Sequence, residues 1–384
     1  MRPIPSYAVE MLNIIKNAGF EAYAVGGCVR DAILGKTPDD IDITTSATPD
    51  RITDLFPTSA LTGGRFFTVT AFHKGGKAEI TPFRSEYGYT DSRRPDEVKF
   101  ASELSEDLKR RDFTVNTLCF DGEKVVDLLG GTADIEAGII RCVGDPELRF
   151  DEDALRIMRA FRFSAELGFT IEPRTLSAAL ANAGKLQSIS VERIRDELIK
   201  TALSPAPERI SPLLESGALA FLKLGASPYL PKLKELTDDG QTRLSAFLDA
   251  CGRDAVGLLK LPTRLKRVIS AVFAVLDSFP PPAENSVKRA MSRFTAEAFA
   301  IAAEIAEKLY GKPSDYSKIY RRILERGEPY LISHLALGGT DLKDAGVPEK
   351  DIGSVLGKLL DAVIDSPQSN TREKLTELLT KLEY

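Results

Sequence analysis

The sequence predicts a small α/β domain followed by an all-helical remainder. Short apolar runs bounded by glycines, which are typical of strands, are confined to the first part of the chain. From Glu152 onward the strand signals stop, and apolar residues recur at helical spacing between prolines and glycines. A chain of 384 residues is also too long for one compact core. We therefore expect an α/β head at 1–142 and helical segments at 143–205, 206–280 and 281–384.

Helix and strand signals alternate through the α/β segment. We expect a first helix that ends at Gly19 and has Met11, Leu12, Ile14 and Ile15 on one side, then a strand at Glu21–Val25 and a short helix to Leu34 capped by Gly35. A strand at Asp40–Thr44 follows. The last two elements are a hairpin of Phe66–Lys74 and Ala78–Phe83, with its turn at Gly75-Gly76, and a strand at Val125–Leu129. Residues 85–110 are charged, and we expect a mobile loop plus a short helix there. These elements predict a small mixed sheet with helices.

Composition restricts the kind of protein. No run approaches the ~20 apolar residues that cross a membrane. The four cysteines form no CxxC pair, which favours a reducing, cytoplasmic location. With two histidines and no His-Asp pair, a metal would lie mainly on oxygen ligands, which favours magnesium or manganese. The net charge of −5 opposes long-range attraction to nucleic acid, although it does not exclude a local basic groove.

An Asp-Ile-Asp sequence predicts a metal site. Asp40 and Asp42 would share one face of a strand, because strand side chains alternate between faces. Carboxylates this close repel each other unless a cation lies between them. Two hard cations held there could activate a hydroxyl and neutralise a triphosphate. Glu79 can face the same side from a neighbouring strand as a third carboxylate, although a merely exposed carboxylate fits that position equally well.

A diglycine at the start of a helix predicts a phosphate contact. Gly26-Gly27 allows close backbone approach, and the helix that follows presents free N–H groups. Arg30 would add a charge-assisted contact. A Gly-Gly alone is more often a plain turn, but its position between a strand and a helix, followed by Asp-x-Asp, is much more specific.

The stretch Asp151–Phe163 is predicted to be one helix that recognises a base. Four charged residues recur at every third position, namely Asp153, Arg156, Arg159 and Arg162. A carboxylate beside a guanidinium can accept from the amino group of C or A and donate to the ring nitrogen, whereas U and G mismatch both groups. Since a spacing of three drifts about 60° per step, Arg162 would lie opposite Asp153 and serve phosphate or structure. The alternative is an amphipathic helix with ion pairs on a wet face.

Arg110–Asn116 supplies another charged motif. Asp112 could accept from a ribose hydroxyl, and Arg111 could bind a triphosphate. An isolated Arg-Asp pair would more often lie on the surface.

Taken together, these motifs resemble the class II (bacterial and eukaryotic) tRNA nucleotidyltransferase and poly(A) polymerase family. The matching stretches are Gly26–Asp31, Asp40–Asp42, Arg110–Asn116, Glu152–Arg162 and Ser190–Glu197, and a tail segment containing Gly339–Leu342 and Leu356–Val363 resembles the bacterial CCA-adding pattern. The likeness spans almost the whole chain and is loosest between 210 and 330.

The resemblance implies a polymerase-β-like head, a helical neck and body, and a tRNA-binding tail. It implies template-independent addition of C, C and A to tRNA 3′ ends from CTP and ATP, with two Mg²⁺ ions and attack of the 3′-hydroxyl on the α-phosphate. In that family Asp40 and Asp42 would hold the metals, Gly27, Arg30 and Arg111 would contact phosphates or sugar, and Asp153 and Arg156 would select C and A with Arg159 and Arg162 nearby.

Family members differ in what they add. Those that add only CC look shortened in the loop that corresponds to Tyr87–Phe100, which looks complete here. Full CCA addition or A addition alone therefore both remain open. A poly(A) polymerase would favour a strongly basic tail, whereas this tail mixes charges. A non-catalytic RNA-binding protein and a signalling nucleotidyltransferase are further alternatives.

The expected partners are tRNA and nucleoside triphosphates, with no protein partner predicted. Phosphate contacts need local positive charge. Two candidate patches are Arg264, Lys266 and Arg267, and Lys288, Arg289 and Arg293, although either could be only a solvated helix face.

Overall fold

The computed structural model describes residues 3–38, 40–62, 67–87, 97–313 and 315–382. The chain divides into two compact units, Met1–Phe221 and Leu222–Tyr384. The first unit contains a mixed sheet with helices, and the second is built from helices, which confirms the predicted fold class. The finer division into head, neck, body and tail stays a prediction.

The main sheet of the first unit has seven strands. They are β1 (Ala22–Val25), β2 (Ile41–Thr45), β3 (Ser59–Leu61), β4 (Val69–His73), β5 (Gly76–Pro82), β8 (Cys119–Phe120) and β9 (Val125–Val126), in the spatial order β3-β4-β5-β2-β1-β8-β9. The β2–β5 pair is parallel, and the other neighbours are antiparallel. Two further pairs lie outside this sheet: β6 (Arg84–Tyr87) with β7 (Glu97–Phe100), and β10 (Ile139–Ile140) with β11 (Thr170–Ile171).

The predicted hairpin is present, but its turn lies one residue earlier. His73 pairs with Gly76, so the two-residue turn is Lys74-Gly75 and not Gly75-Gly76. Both turn residues have positive φ, 45° and 79°, which is the geometry whose twist matches an antiparallel pair. The segment 85–110, predicted as a mobile loop plus a short helix, contains most of the β6–β7 pair and a short helix, Leu104–Lys109. Its Arg93-Arg94-Pro95-Asp96 sequence lies outside the described residues.

The helices of the first unit are α1 (Ser6–Asn17), α2 (Gly27–Ile33), α3 (Pro49–Leu55), α4 (Leu104–Lys109), α5 (Gly131–Ala137), α6 (Pro146–Glu152), α7 (Leu155–Leu167), α8 (Pro173–Ala181), α9 (Val191–Ala202) and α10 (Ser211–Glu215). Helices α1 and α3 pack on the sheet, and α1 buries Ala8, Met11, Leu12 and Ile15. Strand residues on the buried face include Ile41, Ile43, Ala78 and Ile80, whereas Asp42 and Glu79 alternate with them and point to the open face.

Two predictions about the helical part were wrong. Asp151–Phe163 is not one helix: α6 ends at Glu152, Asp153 is extended (φ −144°, ψ 102°), and α7 begins at Leu155. Strand signals also do not stop at Glu152, because β11 pairs with β10. A two-residue strand is stabilised by its partner and leaves almost no periodicity in the sequence.

The helices of the second unit are α11 (Gly240–Cys251), α12 (Ala255–Leu258), α13 (Thr263–Asp277), α14 (Glu284–Phe294), α15 (Ala296–Lys308), α16 (Asp315–Glu325), α17 (Gly339–Asp344), α18 (Ile352–Asp365) and α19 (Arg372–Leu379). Helices α17, α18 and α19 share one apolar cluster that includes Leu342, Leu359, Val363 and Leu375. Within the described part of the chain, every helix is too short or too polar to cross a bilayer.

Candidate functional site

A cleft of about 640 Å³ lies in the first unit. Its lining combines one carboxylate of the sheet, several arginines and the break between α6 and α7. The lining residues are Val25, Gly26, Gly27, Arg30, Asp42, Ile43, Thr44, Thr68, Thr81, Arg84, Arg110, Arg111, Asp112, Asn116, Asp153, Leu155, Arg156, Arg159, Phe163 and Arg193. Eight of the predicted site residues are therefore brought together: Gly27, Arg30, Asp42, Arg111, Asp112, Asp153, Arg156 and Arg159.

Asp42 is the carboxylate that the sheet contributes to this lining, and two further acidic residues lie near it. Asp42 on β2 is the direct neighbour of Glu79 on β5, so both carboxylates leave the same face of the sheet. Asp40 precedes β2, does not line the cleft, and is 84% exposed with Lys77 Nζ 3.8 Å from its Oδ1. Desolvation by the surrounding protein, followed by the negative charges of Glu79 and Asp40, raises the pKa of Asp42, and the positive charge of Arg111 opposes that rise. This donor set suits a hard divalent cation, because a cation would relieve the repulsion.

Few protein ligands are available for such a cation. Among the described residues, no three His, Cys, Asp or Glu side chains are arranged to hold a metal by themselves. Mg²⁺ usually keeps several waters and binds one or two carboxylates together with substrate phosphates. The paired carboxylates therefore fit Mg²⁺ when a triphosphate completes its shell.

The glycine turn beside the sheet places two arginines. Gly26 has φ 83°, and a Cβ there would lie 3.2 Å from Arg111 Nη1, so the position favours glycine both for its backbone and for space. Arg30 donates to Asn116 Oδ1 (2.6 Å) and Asp31 Oδ1 (2.9 Å), and its guanidinium lies 5.2 Å from the centre of the Phe163 ring. Both guanidinium groups are thus held at the cleft before any ligand arrives.

Asp107 on α4 is a buried carboxylate that the sequence analysis missed. It accepts from Arg110 Nη2 (2.6 Å), Arg111 Nη2 (3.2 Å) and Thr44 Oγ1 (3.3 Å). Burial opposes its ionisation, but Arg110 and Arg111 lower the pKa of Asp107 overall. An acidic residue three and four positions before two arginines on a short helix is a pattern that could have revealed it.

Asp112 is engaged on both carboxylate oxygens. Its Oδ2 accepts from Arg159 Nε and Nη2, each at 2.7 Å, and its Oδ1 accepts from Phe113 N (2.8 Å) and Asn116 Nδ2 (3.1 Å). Burial alone would raise the pKa of Asp112, but Arg159 and Asn116 outweigh burial and lower it to about 2. Asp112 is therefore ionised, and a ribose hydroxyl would share an oxygen that already accepts hydrogen bonds.

The α6–α7 break fixes the predicted base-recognition pair. Asp153 Oδ1 accepts from Leu155 N (3.0 Å), and its Oδ2 accepts from Arg193 Nη2 (2.8 Å) of α9. Arg156 donates to Glu152 Oε2 (2.5 Å) and to the Arg110 carbonyl (3.0 Å). Asp153 and Arg156 line the same cleft, and neighbouring elements orient each of them. Arg193 was given no role from the sequence, because its partner lies 40 residues away.

Arg159 and Arg162 separate as the helical drift predicted. Arg159 lines the cleft and pairs with Asp112. Arg162 is buried, pairs with Glu197 (2.5 Å) and Glu166 (2.7 Å), and is not among the cleft-lining residues that the structure describes. The position of Arg162 therefore fits a structural role, which was one of the two roles predicted for it. Phe163, another residue missed from the sequence, is flanked by the guanidinium groups of Arg30, Arg159 and Arg162 at 5.2, 5.1 and 3.9 Å.

The two candidate tRNA patches differ in availability. Arg264, Lys266 and Arg267 are exposed in the first turns of α13. Lys288 is only 1% exposed and forms an ion pair with Glu328, so its prediction as a surface contact was wrong. Its neighbour Arg289 pairs with Asp361 (3.3 Å) and Asp365 (2.8 Å) of α18, while Arg293 is exposed and lies 4.9 Å from the Phe294 ring.

Family comparisons match two parts of the chain. Residues 22–141 match the Poly A polymerase head domain family. Residues 168–230 match the family described as the probable RNA and SrmB-binding site of polymerase A.

Individual relatives match almost the whole chain. The CCA-adding enzyme of Limosilactobacillus fermentum is 39% identical over 396 residues, covering 97% of this chain and 96% of that enzyme. The CCA-adding enzyme of Lactobacillus helveticus is 52% identical over 199 residues, about half of each chain. The crystal structure of the Bacillus stearothermophilus CCA-adding enzyme in complex with CTP superimposes with a TM-score of 0.86 at 31% identity, covering 99% of this chain and 98% of that one. Sequence and fold together show that the chain belongs to the family of CCA-adding enzymes.

Proposed function

We propose that this protein adds C, C and then A to the 3′ end of tRNA, using CTP and ATP. The observation that carries the proposal is a single cleft that combines Asp42, a set of arginines and the Asp153–Arg156 pair. The family relationship supports it, and the similar Bacillus stearothermophilus enzyme binds CTP. The reaction is attack of the RNA 3′-hydroxyl on the α-phosphate of the nucleotide, with pyrophosphate leaving.

Arginines bind and orient the triphosphate in this proposal. Arg30 and Arg111 supply fixed guanidinium groups, and Gly27 lets the backbone approach the phosphates. Positioning and charge stabilisation contribute most of the rate in phosphoryl transfer, because little covalent chemistry falls to the protein. The Asn116 and Asp107 contacts of these arginines reduce the reorganisation needed when the nucleotide binds.

Two Mg²⁺ ions are assigned to the carboxylates at and beside Asp42, where the sheet meets the cleft. Asp40 and Asp42 would hold them, with Glu79 as a third carboxylate beside Asp42. When bound, the ions supply charge neutralisation of the triphosphate and lower the pKa of the attacking hydroxyl. Burial raises the pKa of Asp42, the charges of Glu79 and Asp40 add to that rise, and this nearby negative charge supports the assignment.

Base selection is assigned to Asp153 and Arg156. The carboxylate accepts from the exocyclic amino group of C or A, and the guanidinium donates to the ring nitrogen. Since Arg193 and Glu152 hold the two groups in place, U and G would leave buried polar groups unpaired. Arg159 completes this side of the cleft, and Asp112 would accept from the ribose. Arg264, Lys266 and Arg267 are the preferred tRNA contacts.

The reaction is assigned to the cytoplasm. All four cysteines are free thiols, as expected in a reducing compartment, and the relatives above are bacterial CCA-adding enzymes.

The test is a gel assay with three tRNA transcripts that end at the discriminator base, at C and at CC. The protein meets each one with Mg²⁺ and with CTP, ATP, UTP or GTP singly, or with CTP and ATP together. Completion of all three to CCA is expected. Extension of only the CC-ended transcript by one A would instead identify an A-adding enzyme, and long A tracts would identify a poly(A) polymerase. No incorporation on any transcript would leave an RNA-binding protein without catalysis.

A further inference from the structure

The open face of the sheet is arranged in three rows that cross β2, β5 and β4. One row consists of threonines, Thr44 opposite Thr81 and Thr81 Oγ1 3.1 Å from Thr68 Oγ1. The next row is Asp42, Glu79 and Thr70, which are direct neighbours across the strands. The last row pairs Lys77 with Phe72, and Lys77 Nζ reaches Asp40. All three rows share one face because strand side chains alternate.

The carboxylate row separates the other two. Every residue of the threonine row lines the nucleotide cleft, and so does Asp42, whereas Lys77 and Phe72 are not among its described lining residues. In an in-line displacement the nucleophile approaches the phosphorus from the side opposite the leaving group. If the cleft arginines hold the pyrophosphate side, as the proposed function has it, the attacking 3′-hydroxyl arrives from the side of the Lys77–Phe72 row.

The side chains of that row have the chemistry of a nucleotide contact. Phe72 is 49% exposed and the Lys77 side chain is 48% exposed. Cross-strand geometry places Phe72 diagonally from Glu79, at about 7–8 Å between their Cα atoms. An aromatic ring beside a cation is how proteins hold single-stranded nucleic acid, with the ring stacking on a base and the cation on the backbone phosphate.

We propose that Phe72 and Lys77 form the subsite for the 3′-terminal nucleotide of the RNA acceptor. Phe72 stacks on the terminal base, and Lys77 contacts the phosphate that precedes it while staying beside Asp40. The subsite keeps the 3′-hydroxyl next to the Asp42–Glu79 row and leaves the cleft free for the incoming nucleotide. This inference rests on the proposed function, since it requires an RNA acceptor.

The experiment compares an acceptor-stem minihelix ending in CC with the same RNA lacking the base of its last nucleotide. We measure KM for each RNA and for ATP during A addition. With wild-type protein, removal of the base is expected to raise the RNA KM about ten-fold. Phe72→Ala should raise the KM of the intact RNA by a similar factor, and its KM should not rise further when the base is removed from the RNA. Phe72→Tyr should behave as wild type.

Lys77 is tested in the same assay. Lys77→Gln should raise the RNA KM several-fold and leave the ATP KM unchanged, and Lys77→Arg should restore it. Two controls lie on the same part of the sheet. Leu61→Ala removes an apolar side chain that is 61% exposed on the opposite face, and Lys74→Gln removes a turn lysine that pairs with Glu10 on α1. Neither control should alter either KM.

The outcomes separate the two hypotheses. If wild-type protein does not extend the minihelix or full tRNA, the proposed function fails. Two results with active wild-type protein would overturn the subsite assignment. One is an increase in the ATP KM of Phe72→Ala. The other is an RNA KM of Phe72→Ala that rises on removal of the base by the same factor as in wild type. A thermal melt of each variant identifies any loss that comes from unfolding.

Discussion

Asp42 lies on the open face of the sheet, yet desolvation by the surrounding protein, followed by the charges of Glu79 and Asp40, opposes its ionisation. Because the pKa of Asp42 is raised in the folded protein, the ionised side chain lowers the stability of the metal-free fold at neutral pH. Asp42→Asn should therefore give a melting temperature in EDTA no lower than that of wild type. The same substitution should reduce incorporation with Mg²⁺ by about 10²–10³-fold or more, since it removes the carboxylate that we assign to the metal.

The matched control for Asp42 is Asp54→Asn on α3, an exposed carboxylate 3.7 Å from Arg51. It should change neither the activity nor the melting temperature. Near-normal activity of Asp42→Asn would contradict the metal-site assignment, and a large fall in its melting temperature would show that Asp42 has a structural role instead.

Asp112 predicts a dependence of stability on acid pH. Its folded pKa of about 2 lies below the ~3.9 of an unfolded aspartate, so its contribution is complete above about pH 4 and is lost as the pH falls toward 2. In urea unfolding, the difference in unfolding free energy between wild type and Asp112→Asn should be about 2 kcal/mol at pH 6 and should shrink between pH 4 and pH 2. A difference that stays constant with pH would exclude this linkage.

Single residues were predictable where the chemistry is local in the sequence. Asp42, Gly27 and Arg111 follow from motifs a few residues long, and the structure places all three at one cleft. Lys288 was misassigned because its burial depends on Glu328, 40 positions away. A lone lysine on a helix carries no local sign of such a partner.

At the level of elements, the break between α6 and α7 positions Asp153, to which we assign base selection. Arg193 of α9 holds the Asp153 carboxylate from outside the break. Arg193→Ala should free that carboxylate to rotate, which should raise KM for CTP and ATP and increase U and G incorporation relative to C and A. Single-nucleotide extension measures both effects, with C-ended tRNA for CTP and CC-ended tRNA for ATP, each in competition with UTP and GTP.

The control for Arg193 comes from the same helix. Lys200→Ala removes an exposed cation in the last turn of α9 and should leave nucleotide choice unchanged. If Arg193→Ala lowers the rate equally for all four nucleotides, then Arg193 stabilises the fold and does not orient Asp153.

The elements themselves were only partly predictable. Apolar periodicity located α1, and a turn signal located the β4–β5 hairpin to within one residue. The same periodicity joined α6 and α7 into one helix, because Asp153 leaves the helical conformation to meet Arg193 and the Leu155 amide. The contact with Leu155 is local, but the contact with Arg193 is tertiary, and tertiary contacts outweigh local helix propensity.

Over the whole molecule, an acidic chain must bind an acidic RNA. Its net charge is −5, so attraction depends on local positive patches. Replacing Arg264, Lys266 and Arg267 together by Ala should weaken tRNA binding and reduce the slope of log K against log salt by roughly 0.7–0.9 per lost contact. KM for CTP should stay unchanged. Filter binding between 50 and 300 mM salt measures the slope, with Lys200→Ala, which removes an exposed cation of the first unit, as control. An unaltered slope would exclude this patch.

The lining of the nucleotide cleft runs from Val25 to Arg193 and lies wholly within the first compact unit. If this cleft selects the nucleotide as proposed, nucleotide choice resides in the first unit alone. A chimera that joins the first unit to the second unit of a relative would still add C and A, while accepting a different set of RNA molecules. Relatives that share such a unit can differ in the RNA that they extend while keeping the same nucleotide specificity.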